Sequence, residues 1–230
     1  MVGLLHSLVA LFREHGATHM AVEFDRAIAP VGIAKSRTDD DALLQRQFGL
    51  AADAVRALGI AIWPMVRVEA DDAIAAGVAR YSREPGLEQT VIASSDNDFT
   101  QCVRGDEVML FNRNTKNILD EEGVIARSGV RPDQIPAYLA LVGDVSDGLP
   151  GIPRWGPKTA AAVLARYGSI EAIPRDGGWD VPVRGAECLA QALEKCWFEV
   201  LLYRDLSIPR TDVPISHTFA DLEWRAVFYL

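Results

Sequence analysis

Eight carboxylates in four short groups set the strongest constraint on this chain: Asp25; Glu69, Asp71 and Asp72; Asp96 and Asp98; Asp144 and Asp147. The first three groups follow the apolar runs His19 to Phe24, Ile60 to Trp63 and Thr90 to Ala93, and the fourth closes a helical stretch ending at Val142. In an open α/β sheet, ligands bind at the carboxyl ends of the strands, and acids in these places would meet there. Taken singly, each group has an ordinary explanation, because Asp is a common helix cap and turn residue. Brought to one rim they would repel one another unless hard cations held them, and all-oxygen ligands favour Mg²⁺ or Mn²⁺ over zinc. Eight carboxylates suffice for two ions that keep several waters. A pair of ions about 4 Å apart suits phosphodiester hydrolysis, which then needs no protein nucleophile. Ser94 and Ser95 stand beside Asp96, but no histidine lies in any group, which leaves little for serine-hydrolase chemistry.

The apolar pattern places these acids in an alternating fold. Leu4, Leu5, Leu8, Leu11 and Phe12 keep helical spacing up to Gly16, and a second helical pattern runs from about Asp40 to Gly59. Another helix is predicted over Asp71 to Tyr81, a strand over Thr90 to Ala93 and another over Glu107 to Phe111, with turn residues from Asn112 to Asn117 before Ile118. Strands alternating with helices imply an α/β fold with a mostly parallel sheet flanked by helices. After Gly123 the pattern becomes helical throughout: Pro132 to Val142, Pro157 to Tyr167, and one long segment from about Ala186 to Tyr203. Arg175 to Arg184, with Gly177, Gly178 and Pro182, is the expected flexible loop. We therefore divide the chain into a core over residues 1–125 and a helical subdomain over 126–230.

The stretch from Gly143 to Ala160 (GDVSDGLPGIPRWGPKTA) reads as helix, tight hairpin, helix. Its glycines let the backbone approach a phosphate. Pro157 starts the following helix, whose free N–H groups join Lys158 and Thr159 as an anion site. Gly151, Ile152, Arg154, Gly156, Lys158 and Thr159 are the residues expected to grip a duplex backbone without reading sequence.

A net charge of −9 runs against the basic surface usual in nucleic-acid-binding proteins, but without the eight clustered acids it is −1. The acidity then marks a metal site. No apolar run approaches the roughly 20 residues that span a bilayer, and the opening Met1 to Phe12 stretch has no basic n-region or small-residue cleavage site. Cys102, Cys188 and Cys196 make no paired framework and show no close metal-ligand spacing, which suits a reducing compartment. The chain is expected in the cytoplasm.

Phe24-Asp25, Glu69-Ala70-Asp71-Asp72, Ser95-Asp96-Asn97-Asp98 and Gly143-Asp144-Val145-Ser146-Asp147 resemble, in the same order, the metal-binding motifs of the 5′-nuclease domain of bacterial DNA polymerase I and the flap endonuclease family, particularly its stand-alone bacterial exonucleases. The resemblance covers about Val2 to Ile173. It implies a PIN-like core, a helix-hairpin-helix clamp that binds duplex DNA with help from K⁺, and exonuclease or flap-endonuclease cleavage near 5′ ends or flaps of DNA. It makes Asp25 both metal ligand and catalytic residue, the other seven acids metal ligands, and Lys35 and Arg37 the further catalytic candidates.

Three departures stand out. Family members open with a strand carrying a ligand Asp before Gly, whereas this chain begins at the helix that follows; the missing strand would remove one acid and leave a sheet position open to self-pairing. The basic, aromatic arch after Asp25 is short here, leaving Lys35 and Arg37 as the phosphate contacts. Arg154 stands where the hairpin commonly has glycine. Against the metal-dependent DNA nuclease stand two other readings: a catalytically impaired DNA-structure binder, from the absent strand, and an RNA-cutting PIN domain, which does not usually carry the hairpin.

Overall fold

The computed structural model describes residues 2–24, 39–63 and 69–224, with residues 39–46 described by backbone alone. The chain packs as two compact units, Met1–Glu84 with Arg210–Leu230, and Pro85–Pro209. Among the described residues no helix is long and apolar enough to cross a membrane.

In the first unit, α1 (Val2–Glu14) lays its leucine stripe on α2 (Asp39–Ala57). Leu8 is buried with Ala52, Val55, Ile60 and Ile62, and Leu4, Leu5 and Trp224 close the cluster. Two short strands, β1 (Ala21–Val22) and β2 (Ala61–Ile62), pair in parallel with Ala21 beside Ala61. A second apolar cluster joins Trp63 to Ala73, Ala76 and Tyr81 of α3 (Ala70–Tyr81) and to Val213, Ile215 and Leu222 from the end of the chain. Backbone carbonyls fasten that closing segment: Arg80 donates to Ile215, Tyr81 to His217, and the Trp224 indole to Leu58 at 2.6 Å.

The second unit holds the other sheet. β3 (Thr90–Ala93) runs parallel to β4 (Val108–Asn112), and β5 (Asn117–Leu119) returns antiparallel to β4. Asn112 makes that return: its side-chain oxygen accepts the N–H groups of Asn114 and Thr115 at 3.0 and 3.1 Å, and its carbonyl accepts that of Lys116 at 2.8 Å. The described strands therefore form two small sheets, parallel except for this hairpin. Val108, Leu110 and Phe111 bury β4 in the core of this unit; each such burial contributes about 1.5–3 kcal/mol.

The helical portion comprises α4 (Glu121–Ser128), α5 (Ile135–Val142), α6 (Pro157–Tyr167), α7 (Ala186–Lys195) and α8 (Trp197–Leu206). Asp120 caps α4 by accepting the Gly123 N–H at 2.8 Å, and buried Gln134 ties the start of α5 to the end of α6 by donating to Leu164 and Gly168 carbonyls at 2.8 and 3.1 Å. The segment read as one long helix is broken at Cys196, whose φ of −103° and ψ of 24° leave the helical region. The loop expected to be flexible is tied down. The Trp179 indole donates to Pro174 at 2.7 Å, and Asp180 accepts from Arg166 and, at 2.8 Å, from the Tyr167 hydroxyl.

The turn between α5 and α6 folds back onto α5 at Gly151. A Cβ there would lie 2.5 Å from the carbonyl carbon and oxygen of Val142 and from the Gly143 nitrogen, and φ is +68°. Gly151→Ala is expected to lower unfolding free energy by about 2–4 kcal/mol in chemical denaturation, through left-handed strain plus backbone overlap. Gly86→Ala, at φ +85° with open space around it, should show only the strain of about 1–2 kcal/mol. Equal effects at the two positions would contradict the close approach.

Candidate metal centre and hairpin

The loop after β3 is shaped by its own short side chains. Ser94 Oγ accepts the Asp96 N–H at 3.1 Å, and Asp96 Oδ1 accepts the Asp98 N–H at 2.9 Å, the Asx turn that Asp readily makes. Buried Phe99 then draws the following 3-10 turn, Asp98–Cys102, into the core. Asp98 is thereby held on rigid backbone at the mouth of the sheet.

On the other side, α5 ends where Gly143 turns with φ 91°. Asp144 and Leu149 exchange N–H···O bonds of 2.9 and 2.7 Å, closing a tight loop around Val145 to Gly148. The Asp144 carboxylate accepts the Ser146 N–H at 2.7 Å and also its hydroxyl, which fixes its orientation.

These two loops bring Asp98, Asp144 and Asp147 together, with one carboxylate oxygen of each within 4.8 Å of the others. At that distance a pair of like charges repels by about 1–4 kcal/mol, depending on solvent access. The charged neighbours acting on Asp98 are all acids, Asp147, Asp96 and Asp144. Burial first, then a hydrogen bond shared with Asp147, and then that negative surrounding push the Asp98 carboxyl from the usual 3.8 up to about 8. Without a cation the cluster therefore keeps a proton. Three converging oxygens with no basic partner among them fit a hard divalent ion, with sites left over for water.

Among the described residues this group of three contains none of the other predicted ligands. Asp96 is exposed and spends one oxygen on the Asp98 N–H. Glu69, exposed, precedes α3, and Asp72 in its first turn accepts the Arg210 N–H at 2.7 Å, so that carboxylate fastens the closing segment of its own unit. Asp71 lies beside it in the same turn. Asp25, Lys35 and Arg37 lie outside the described residues. Sequence reasoning did not single out Ser146, although a serine two residues after an Asp is a recognisable Asx-turn signal.

The hairpin continues from Gly151. The Ile152 N–H donates to Leu141 at 2.9 Å, and the Trp155 N–H donates to Ile152 at 3.1 Å. Trp155 is buried, its indole donating to the Leu189 carbonyl at 3.1 Å and its ring 5.6 Å from that of Trp179. Gly156 precedes Pro157, the first residue of α6. The N–H groups of Lys158 and Thr159 have no partner within the helix at that position, and Lys158 is exposed.

Two family models match the chain end to end: "5′-3′ exonuclease, N-terminal resolvase-like domain" over residues 1–129 and "5′-3′ exonuclease, C-terminal SAM fold" over residues 130–228. A 5′-3′ exonuclease of Aquifex aeolicus is 32% identical over 230 residues, covering 96% of this chain and 77% of the relative. DNA polymerase I of Mycobacterium leprae is 33% identical over 225 residues, covering 94% of this chain, which spans only 24% of that polymerase. Among solved structures, the T5 5′-exonuclease with bound divalent metal ions (zinc) shares the fold, with a TM-score of 0.68 at 19% identity over 90% of this chain and 80% of its own.

The raised Asp98 carboxyl has a consequence for stability. The folded, metal-free protein holds a proton that the unfolded chain releases near pH 4, so its stability should fall as pH rises from about 4 through about 8 and level off above. Thermal melts in a chelator should show this decline. A divalent ion should reverse it, and Asp98→Asn should raise the metal-free melting temperature at pH 8 while abolishing the metal's effect. A pH-independent melt, or an Asp98→Asn variant still stabilised by metal, would contradict the assignment.

Proposed function

Because the chain belongs to the 5′-3′ exonuclease family, we propose that it is a metal-dependent phosphodiesterase that cuts DNA near 5′ ends or flaps as exonuclease or flap endonuclease. The observation that carries this reading is the convergence of Asp98, Asp144 and Asp147 on one point, at the start of the same loop that leads into the hairpin. Two Mg²⁺ ions, or Mn²⁺, are the proposed cofactors, held by these three together with Asp25, Glu69, Asp71, Asp72 and Asp96. Bound there, they would activate a water and neutralise the scissile phosphate and the leaving oxygen. The chain's own residues do the positioning. Ser146 orients the Asp144 carboxylate, and Asp96 sets the backbone of Asp98.

In this proposal, residues 1–125 form the nuclease core and 126–230 the helical clamp. Gly151, Ile152, Arg154, Gly156, Lys158 and Thr159 hold the duplex backbone, with K⁺ as a further ligand of the turn, and Lys35 and Arg37 hold phosphates near the cut. The enzyme works in the cytoplasm. The catalytically impaired alternative draws no support from the family match.

A labelled 5′-flap DNA incubated with protein and Mg²⁺ tests the reading. Cleavage near the flap junction is expected, abolished by chelator and lowered at least about 100-fold in Asp144→Ala and Asp147→Ala, since removing one ligand forfeits several kcal/mol of transition-state stabilisation. Wild-type cleavage no faster than either variant would remove the proposal, and faster cleavage of an RNA flap would redirect it to RNA.

A further inference from the structure

An apolar ridge runs along the outer side of α8. Phe198, Leu202 and Leu206 recur at every fourth residue and are 84%, 55% and 66% exposed, and Ile208, two residues past the end of the helix, is 49% exposed. Side chains at that spacing stand one above another on a helix. The inner side of α8 is spent on the core, with Val200 fully buried and the helix packed on α5. Leu50 and Val145 are exposed as well, but they stand on separate segments, which is ordinary for a folded surface. The α8 side chains instead form one patch. They present on the order of 400 Å² of apolar surface, enough to mark a contact face and short of the roughly 800 Å² that each partner gives to a lasting interface.

The charges beside the ridge decide what fits it. At about 100° per residue, Glu199 falls on one flank and Asp205 on the other, and both are exposed. Arg204 lies on the far side of the helix by the same count and bonds Glu171 and, at 2.9 Å, Asp205. Lys195 belongs to α7, beyond the break at Cys196. A second copy of α8 is therefore a poor occupant. Laying two such ridges along each other across a two-fold axis brings Glu199 beside Glu199 and Asp205 beside Asp205, in chains that each carry a net charge of −9. A helix with the same apolar spacing and lysines or arginines on its flanks turns both repulsions into attractions.

We infer that the outer face of α8 docks an amphipathic helix with basic flanks, supplied by another protein. The ridge uses no residue of the acidic cluster or the hairpin, so the inference stands independently of the nuclease reading.

Two synthetic helical peptides with leucine at every fourth position serve as probes, one with lysines beside the leucines and one with glutamates. In fluorescence anisotropy at about 50 mM NaCl, the full chain should bind the lysine peptide at least about tenfold more tightly than the glutamate peptide. Leu202→Asn should weaken the lysine peptide about tenfold, whereas Leu50→Asn, at an exposed apolar position elsewhere, should leave it unchanged. Glu199→Lys combined with Asp205→Lys should exchange the preference, so that the glutamate peptide binds better. These side chains are exposed, and each variant should melt within about 2 °C of wild type. A wild type that binds neither peptide, an affinity that Leu202→Asn leaves intact, or a preference that survives the charge exchange would overturn the inference. So would a concentration-dependent dimer in sedimentation that Leu202→Asn abolishes, since the face would then belong to a second copy.

Discussion

Mutual repulsion among Asp98, Asp144 and Asp147 is the constraint around which this structure is arranged. Three ionised carboxylates with oxygens within 4.8 Å of one another repel unless a cation or a shared proton joins them. Such an arrangement persists only where the surrounding fold compels it. Here it is compelled twice: by the Asx turn and buried Phe99 on the Asp98 side, and by the Asp144–Leu149 bridge with the Ser146 contacts on the other. A proton on Asp98, shared with Asp147, relieves that repulsion, and the proposed divalent ion would take its place.

The hairpin obeys the same logic through sterics. Gly151 lets the turn lie against Val142, Trp155 anchors it to α7, and between them Arg154 is forced left-handed. Because α5 leads directly into Gly143, Asp144 and Asp147, and the same loop leads through the hairpin into α6, the two acids and the start of α6 lie on one continuous, tightly bonded segment. In the proposed function, a phosphate gripped at α6 and an ion held by Asp144 and Asp147 would be coupled through that short stretch of backbone.

Much of this was legible from residue order. β3 was read at Thr90–Ala93 and α6 at Pro157–Tyr167, because β-branched residues and a leading proline are strong local signals. The hairpin was legible because glycine and proline have few other uses in such density. The break at Cys196 was not, since neither glycine nor proline stands there and the apolar period continues through it; burial of Leu193 and Val200 on separate helices decides the geometry. The segment from Arg175 to Arg184 carries loop residues, yet its Trp179 and Asp180 bonds are tertiary and leave no local trace. For the site, the acids could be nominated by position but not sorted. That Asp98 meets Asp147, far along the chain, while Asp72 serves the Arg210 backbone, follows from packing alone.

The position of a bound divalent ion is the most direct test of the acidic cluster. Anomalous diffraction from crystals grown with Mn²⁺ should place a manganese peak at about 2.0–2.2 Å from carboxylate oxygens of Asp98, Asp144 and Asp147. A cluster left without a peak at millimolar manganese, or ions bound only at other carboxylates, would contradict it.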